Sequence, residues 1–415
     1  MCPNRFKQKR TKKQTKQNPR IMNTLHEVSY LNGVGDQFHA LLSAQACARR
    51  QCSGASIGIV KGSEFTTYSA GFHSSCGVGV GVKVSPPSLF DSASITKAIP
   101  IALLVLWAVT EKHIALETKI SVFFPRLRVE HGECPTIKDL LTYACRFDLD
   151  FIESPYTGYG DADVLLDKIL SANVTTLHTR SYGNYPPIFL GVILEKITGG
   201  TIQQLSREVI FDPLGITSAT FSPPDDPSLV VQTEIMDRHT KEPRRSGVHD
   251  ELTVAIGGRP GSAGLFVNTS DLLRVQRFLL NMGSIGTRQI IAPELIREIG
   301  KNQFKQDDGF GLGFGLWSVF SKGYDDDGVE LRGLDPRMLQ DAYFKLGFTG
   351  CGVFIFPRCD LGVVINTNYI HPAWRGSSLW INWFRWVVVM TALTGAVPSS
   401  AKILWNGADL NMSKV

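Results

Sequence analysis

Apolar residues fill positions 55–60 almost without a break, and a second strand-like run covers 65–70 across the turn residues Lys61-Gly62-Ser63. This pattern predicts a β-hairpin. Residues 34–50 before it read as a helix. The stretch 98–110 is apolar nearly all round, which predicts a helix buried in the centre of the molecule, with Pro100 in its first turns. From about 115 to 285 the periodicity is mostly helical. Pro135 or Thr136 heads one helix, and the apolar run 188–197 forms another that is closed by Gly199-Gly200. Residues 222–246, rich in proline and charge, read as a long surface connection, and the glycine-rich segment 77–81 as a surface loop. Strand patterns return at 316–320, 352–356 and 361–366, followed by a helix with Trp380, Trp383 and Trp386, close after Trp374. Strands at both ends with helices between them imply one antiparallel sheet whose first and last elements meet.

Composition changes this picture little. Of 415 residues, 43% are hydrophobic and 20% charged, the usage of an ordinary globular protein. The formal charge of +5 does not announce a nucleic-acid partner, because eight Lys/Arg and no acid lie in residues 1–20. The rest holds 35 basic against 38 acidic residues. Residues 1–33 therefore read as a basic, solvated tail, 34–398 as the folded domain and 399–415 as a second tail. No apolar stretch follows the N-terminal charges, and the eight cysteines show no metal-ligand spacing, so free thiols and a cytoplasmic location are expected. The run 386–397 is about half the length a membrane helix needs. Core packing is the expected role of the Trp-rich helix, with no integral membrane segment, metal or other cofactor.

The candidate chemistry starts at Ser94-Ile95-Thr96-Lys97. A Ser and a Lys three residues apart at a helix N-terminus lie on one face, one turn apart. A neutral amine there can take the proton of a hydroxyl that is otherwise a weak nucleophile. The tetrapeptide alone is weak evidence, since Ser399-Ser400-Ala401-Lys402 repeats it. Tyr182-Gly183-Asn184 and Lys345-Leu346-Gly347 follow Ser94 in the order Ser-x-x-Lys, [Ser/Tyr]-x-Asn, Lys-Thr-Gly of serine–lysine acyl-transfer enzymes. Tyr30-Leu31-Asn32 is a second copy of the middle motif without partners. A competing GxSxG match at Gly54-Ala55-Ser56-Ile57-Gly58 lies inside a strand rather than at a strand–helix elbow.

With these motifs and their flanks, including Leu89-Phe90-Asp91-Ser92-Ala93, Gly247-Val248-His249-Asp250-Glu251, Ala263-Gly264-Leu265-Phe266 and Gly347-Phe348-Thr349-Gly350, the sequence from about 38 to 390 resembles the serine β-lactamase-related hydrolases and transferases. The family comprises class C β-lactamases, penicillin-binding proteins, and related esterases and acyltransferases. The resemblance implies an α+β, β-lactamase/transpeptidase-like fold. Its sheet comes from about 34–90 and 310–398, with a mostly helical lobe from about 91–309. It also implies that Ser94 forms an acyl-enzyme, that Lys97 and Tyr182 share general-base and general-acid work, and that two nearby cations depress the Tyr182 pKa. Asn184 would orient the Lys97 amine and a substrate carbonyl. Lys345 would add positive field and meet a substrate anion, with Gly347 beside it. The Ser94 and Phe348 backbone N–H groups would form an oxyanion hole. His249-Asp250 matches the family in a structural loop.

Three segments depart from the family pattern: Leu346 replaces a threonine, Gly261-Ser262-Ala263-Gly264 replaces Gly-His-Ala-Gly, and Thr142-Tyr143-Ala144-Cys145-Arg146 replaces Thr-His-Thr-Ser-Gly. Leu346 lacks the hydroxyl that helps hold a substrate carboxylate. The expectation is an esterase or acyltransferase acting on a small-molecule ester or thioester. The alternatives are a β-lactamase or D-Ala-D-Ala peptidase, and an inactive relative serving as a binding or scaffold protein.

Overall fold

The computed structural model describes residues 34–43, 51–149, 161–224, 226, 228–236, 247–305, 309–318 and 335–398. Both expected tails, the two duplicate motifs at 30–32 and 399–402, and the end of the helix expected over 34–50 lie outside these residues.

Six antiparallel strands form the central sheet. They are β1 (Gly54–Lys61), β2 (Glu64–Gly71), β3 (Gly315–Leu316), β4 (Tyr343–Leu346), β5 (Gly352–Phe356) and β6 (Leu361–Thr367), in the order β3-β4-β5-β6-β1-β2. The hairpin expected at the N-terminal end is β1–β2, with Lys61 paired to Glu64 across a two-residue loop where Gly62 takes a φ of 58°. β1 pairs with β6 from Ala55↔Thr367 to Lys61↔Leu361, so the two ends of the chain share one sheet. The fold is α+β.

β1 is buried on both faces, which explains its nearly continuous apolar run. Ala55, Ile57 and Ile59 pack with the helical segment 34–43 and with the C-terminal helix Leu379–Thr394. On the other face, Gly58 lets the helix Thr269–Leu280 approach so closely that a Cβ would lie 2.6 Å from a Thr269 methyl. The Trp-rich helix is a core helix, with Trp380 and Trp386 buried. Trp374, outside it, is instead 37% exposed.

Two expectations about elements are corrected. The strand expected at 316–320 is only Gly315–Leu316, and the chain turns helical at 317–318. The apolar segment after Ser94 is not one continuous helix. Ala93–Lys97 is a separate 3₁₀ turn, and Ile99 breaks helical geometry at φ −118°, ψ 108° before the α-helix Leu103–Thr110. A residue preceding proline is pushed out of the α region, and Pro100 follows Ile99. The whole segment Ala93–Thr110 is apolar enough to cross a membrane by length and composition, yet it is 78% buried within the fold.

Candidate active site

Ser94 stands on the 3₁₀ turn Ala93–Lys97. In that geometry side chains at i and i+3 eclipse, so the hydroxyl and the amine are stacked rather than offset. Lys97 Nζ lies 2.9 Å from Ser94 Oγ and donates a second hydrogen bond, at 2.7 Å, to the Ser262 carbonyl. Ala93 enters the turn at φ 47°, an unfavourable conformation for an L-residue. The buried Asp91 carboxylate holds it there by accepting the N–H groups of Ala93 (2.8 Å) and His249 (2.7 Å). Burial is the main influence on Asp91 and raises its pKa, against the lowering effect of those two N–H groups.

Tyr182 and Lys345 complete the cluster. The Tyr182 hydroxyl is hydrogen-bonded to Ser94, and Lys345 Nζ sits 4.8 Å from the Tyr182 ring centroid. Lys345 is enclosed by aromatic rings: Tyr143 at 5.1 Å and Phe310 at 5.4 Å from its Nζ, with the Tyr143 hydroxyl accepting at 3.3 Å. Burial lowers the Lys97 pKa from 10.5 to about 8, partly opposed by Asp250. Burial, reinforced by Lys97 and Arg180, carries Lys345 well below the ordinary lysine value.

Tyr182 moves the other way from the expected depression. Burial pushes it up to about 12, and the hydrogen bond to Ser94 and the charge of Arg180 offset only part of the rise. The two amines that were expected to stabilise a phenolate are desolvated themselves, which lowers both their pKa values and weakens the positive field they offer Tyr182. Tyr182 is therefore a phenol, and Lys97 is the group poised near neutrality. The Tyr182 residue is 47% exposed because its ring walls the open cavity.

Asn184 is placed differently from expectation. It is the N-cap residue of the helix Tyr185–Thr198, and it does not line the cavity. Among the described residues the Lys97 amine bonds to the Ser262 carbonyl where Asn184 was expected. Gly347 is required by close approach: a Cβ there would lie 2.3 Å from the Ser92 carbonyl oxygen. The strand carrying Lys345 thus abuts the backbone just before Ser94. Phe348 follows, lining the cavity and half exposed, with the His249 ring stacked on it at 5.6 Å and the Trp374 ring tilted against it at 5.5 Å.

The β-lactamase family model matches residues 37–384. The chain belongs to the β-lactamase family. A putative D-alanyl-D-alanine carboxypeptidase of Escherichia coli (strain K12) is 27% identical over 318 residues, covering 70% of this chain and 71% of that protein. Curated relatives are spanned over 45% to 71% of their length. Among solved structures, a β-lactamase from Sulfitobacter sp. EE-36 matches with a TM-score of 0.64 at 21% identity, covering 88% of this chain and 99% of that one. EstCE1, described as a hydrolase with promiscuous acyltransferase activity, matches with a TM-score of 0.62 at 18% identity and the same coverage. The protein is a serine β-lactamase-family hydrolase.

Within this β-lactamase-family fold, several contacts around the site carried no readable sequence signal. The buried Glu234 carboxylate meets His249 Nε2 at 2.7 Å and accepts the Trp374 N–H at 2.7 Å, tying the cavity wall to the loop that grips Asp91. Asp250 caps the helix Glu251–Ala255 and accepts from Ser262 Oγ, whose residue holds Lys97. Arg385, buried in the C-terminal helix, donates to the Gly347 (2.7 Å) and Cys351 (2.6 Å) carbonyls and so fixes the strand end. Ser56 of the rival GxSxG match is buried in β1 and accepts from Ser69 Oγ.

Proposed function

We propose that the protein cleaves small-molecule carboxylic esters or thioesters through a Ser94 acyl-enzyme, with water or an alcohol as acceptor. The observation that carries this reading is the buried Lys97 amine, 2.9 Å from Ser94 Oγ with its pKa lowered to about 8. Neutral Lys97 removes the Ser94 proton as Oγ bonds to the carbonyl carbon. The Ser94 and Phe348 N–H groups, as in the family, receive the oxyanion, a contribution of about 3–4 kcal/mol. Collapse breaks the bond to the leaving oxygen, or to the leaving sulfur of a thioester, which takes its proton from the Tyr182 hydroxyl, and the Lys97 ammonium restores that proton. Deacylation repeats the sequence with the acceptor oxygen as nucleophile.

Leu346 supports esters over β-lactams, because a leucine offers no hydroxyl to a substrate carboxylate. The carboxypeptidase relatives favour a peptidase as the second reading. A fluorophosphonate probe tests the nucleophile: labelling is expected in the wild type and not in Ser94→Ala. Turnover of p-nitrophenyl butyrate against nitrocefin ranks the substrates. Nitrocefin turnover exceeding ester turnover would sink the ester reading.

A further inference from the structure

The cavity beside Ser94 encloses about 550 Å³ and runs past the catalytic cluster. Alternate side chains of a strand face opposite ways, so Lys345 points toward Tyr182 while Phe344 and Leu346 point to the other side of β4. There they line the cavity with Ile381 of the C-terminal helix, Trp374 and the exposed Phe348, an apolar stretch beside which Asn382 and Arg385 of the same helix supply the polar groups. Phe348 and Trp374 are 42% and 37% exposed. No acidic side chain lines this cavity among the described residues. A large apolar surface left open next to a nucleophile marks a binding groove.

The direction of the chemistry says what fills it. Around the tetrahedral carbon, one bond goes to Ser94 Oγ, the oxyanion turns to the backbone N–H groups, and the leaving oxygen must face Tyr182 to receive its proton. The remaining substituent, the acyl chain, takes the path along Leu346, Trp374 and Ile381.

We propose that this arm of the cavity is an acyl-chain subsite, that the substrates are esters of medium-length or longer apolar acids, and that Leu346 and Trp374 set this specificity. The inference rests on the serine-esterase reading and adds the acyl class to it. A leucine at 346 then has a positive role: it trades a polar contact for apolar surface in the cavity lining that it shares with Phe344 and Ile381.

The test is a series of p-nitrophenyl esters from acetate to decanoate, with the leaving group constant. Burial of a methylene is expected to raise kcat/KM about fourfold per carbon until the arm is full. Leu346→Thr and the exposed-site variant Trp374→Ala should each lower the octanoate-to-acetate ratio about tenfold or more, while Leu346→Met keeps it. In Ser94→Ala, calorimetry should show octanoate binding and no acetate binding, a readout independent of turnover. A flat or falling series with Ser94 still labelled by fluorophosphonate overturns the subsite and leaves the hydrolase reading standing. Octanoate binding to Ser94→Ala without ester turnover by the wild type overturns the hydrolase reading and with it the assignment of substrates. A rise with alcohol length in alkyl acetates, and none with acyl length, also refutes the assignment.

Discussion

Replacing Lys97 by methionine should abolish turnover and yet make the protein more stable at neutral pH. Burial holds the folded Lys97 pKa at about 8, against 10.5 for an unburied lysine. Below pH 8 the folded state carries a charge that its surroundings disfavour, and at 1.36 kcal/mol per pKa unit this costs about 3 kcal/mol. Between pH 8 and 10.5 the unfolded chain binds more protons than the folded one, so wild-type stability gains that amount as pH rises. Methionine removes the cost at every pH but takes donors from the Ser262 carbonyl and Ser94 Oγ, about 1 kcal/mol each. Lys97→Met should therefore be about 1 kcal/mol more stable than wild type at pH 7 and about 2 kcal/mol less stable at pH 10.5. Urea unfolding followed by tryptophan fluorescence at both pH values measures the difference. A wild-type-minus-variant difference that does not change with pH would refute the claim that a desolvated ammonium is stored beside Ser94.

Further expectations concern the proton inventory and the scaffold. With Lys97 as base, kcat/KM for a neutral ester should rise about eightfold to tenfold from pH 7 to 9 with a midpoint near 8. No second inflection from Tyr182 should appear below pH 10, because burial keeps that phenol near 12; a flat profile would remove Lys97 from the role. Tyr182→Phe should cut turnover by about 10²–10⁴ through loss of the leaving-group proton donor, read from steady-state kinetics. Gly347→Ala should destabilise the fold by about 1–3 kcal/mol and lower turnover, since its Cβ would meet the Ser92 carbonyl oxygen at 2.3 Å. By contrast Gly183→Ala, whose Cβ meets nothing within 4 Å, should melt like wild type. His249→Leu leaves a Glu234 oxygen buried without its partner, so it should cost about 1–3 kcal/mol and raise KM as Phe348 loses its stacked neighbour.

Local chemistry made much of the molecule legible before any coordinates. The β1–β2 hairpin followed from the turn residues Lys61-Gly62-Ser63 between two strand-like runs, a helix head at Pro135 or Thr136 from local residue types, and a buried apolar helix from the run 98–110, although its α-helical part starts only at Leu103. Ser94, Lys97, Tyr182 and Lys345 were legible because their motifs fall in one order along the chain. The break at Ile99 was also within reach, since a following proline biases a residue out of the α region. Asn184 stands at a helix N-cap, and its motif position did not reveal that the Ser262 carbonyl would hold the Lys97 amine.

What the sequence determined by itself is the set of reacting groups: short-range rules of spacing, capping and turn formation suffice to place a serine and a lysine on one turn. What only the tertiary structure decided is how those groups titrate and what they face. Desolvation depends on every atom packed around a group, and here residues from 143, 182, 310 and 345 converge from separate elements. That convergence makes Tyr182 a phenol, brings Lys97 near neutrality and turns Leu346 toward an apolar wall, and none of these can be read from neighbours in the chain.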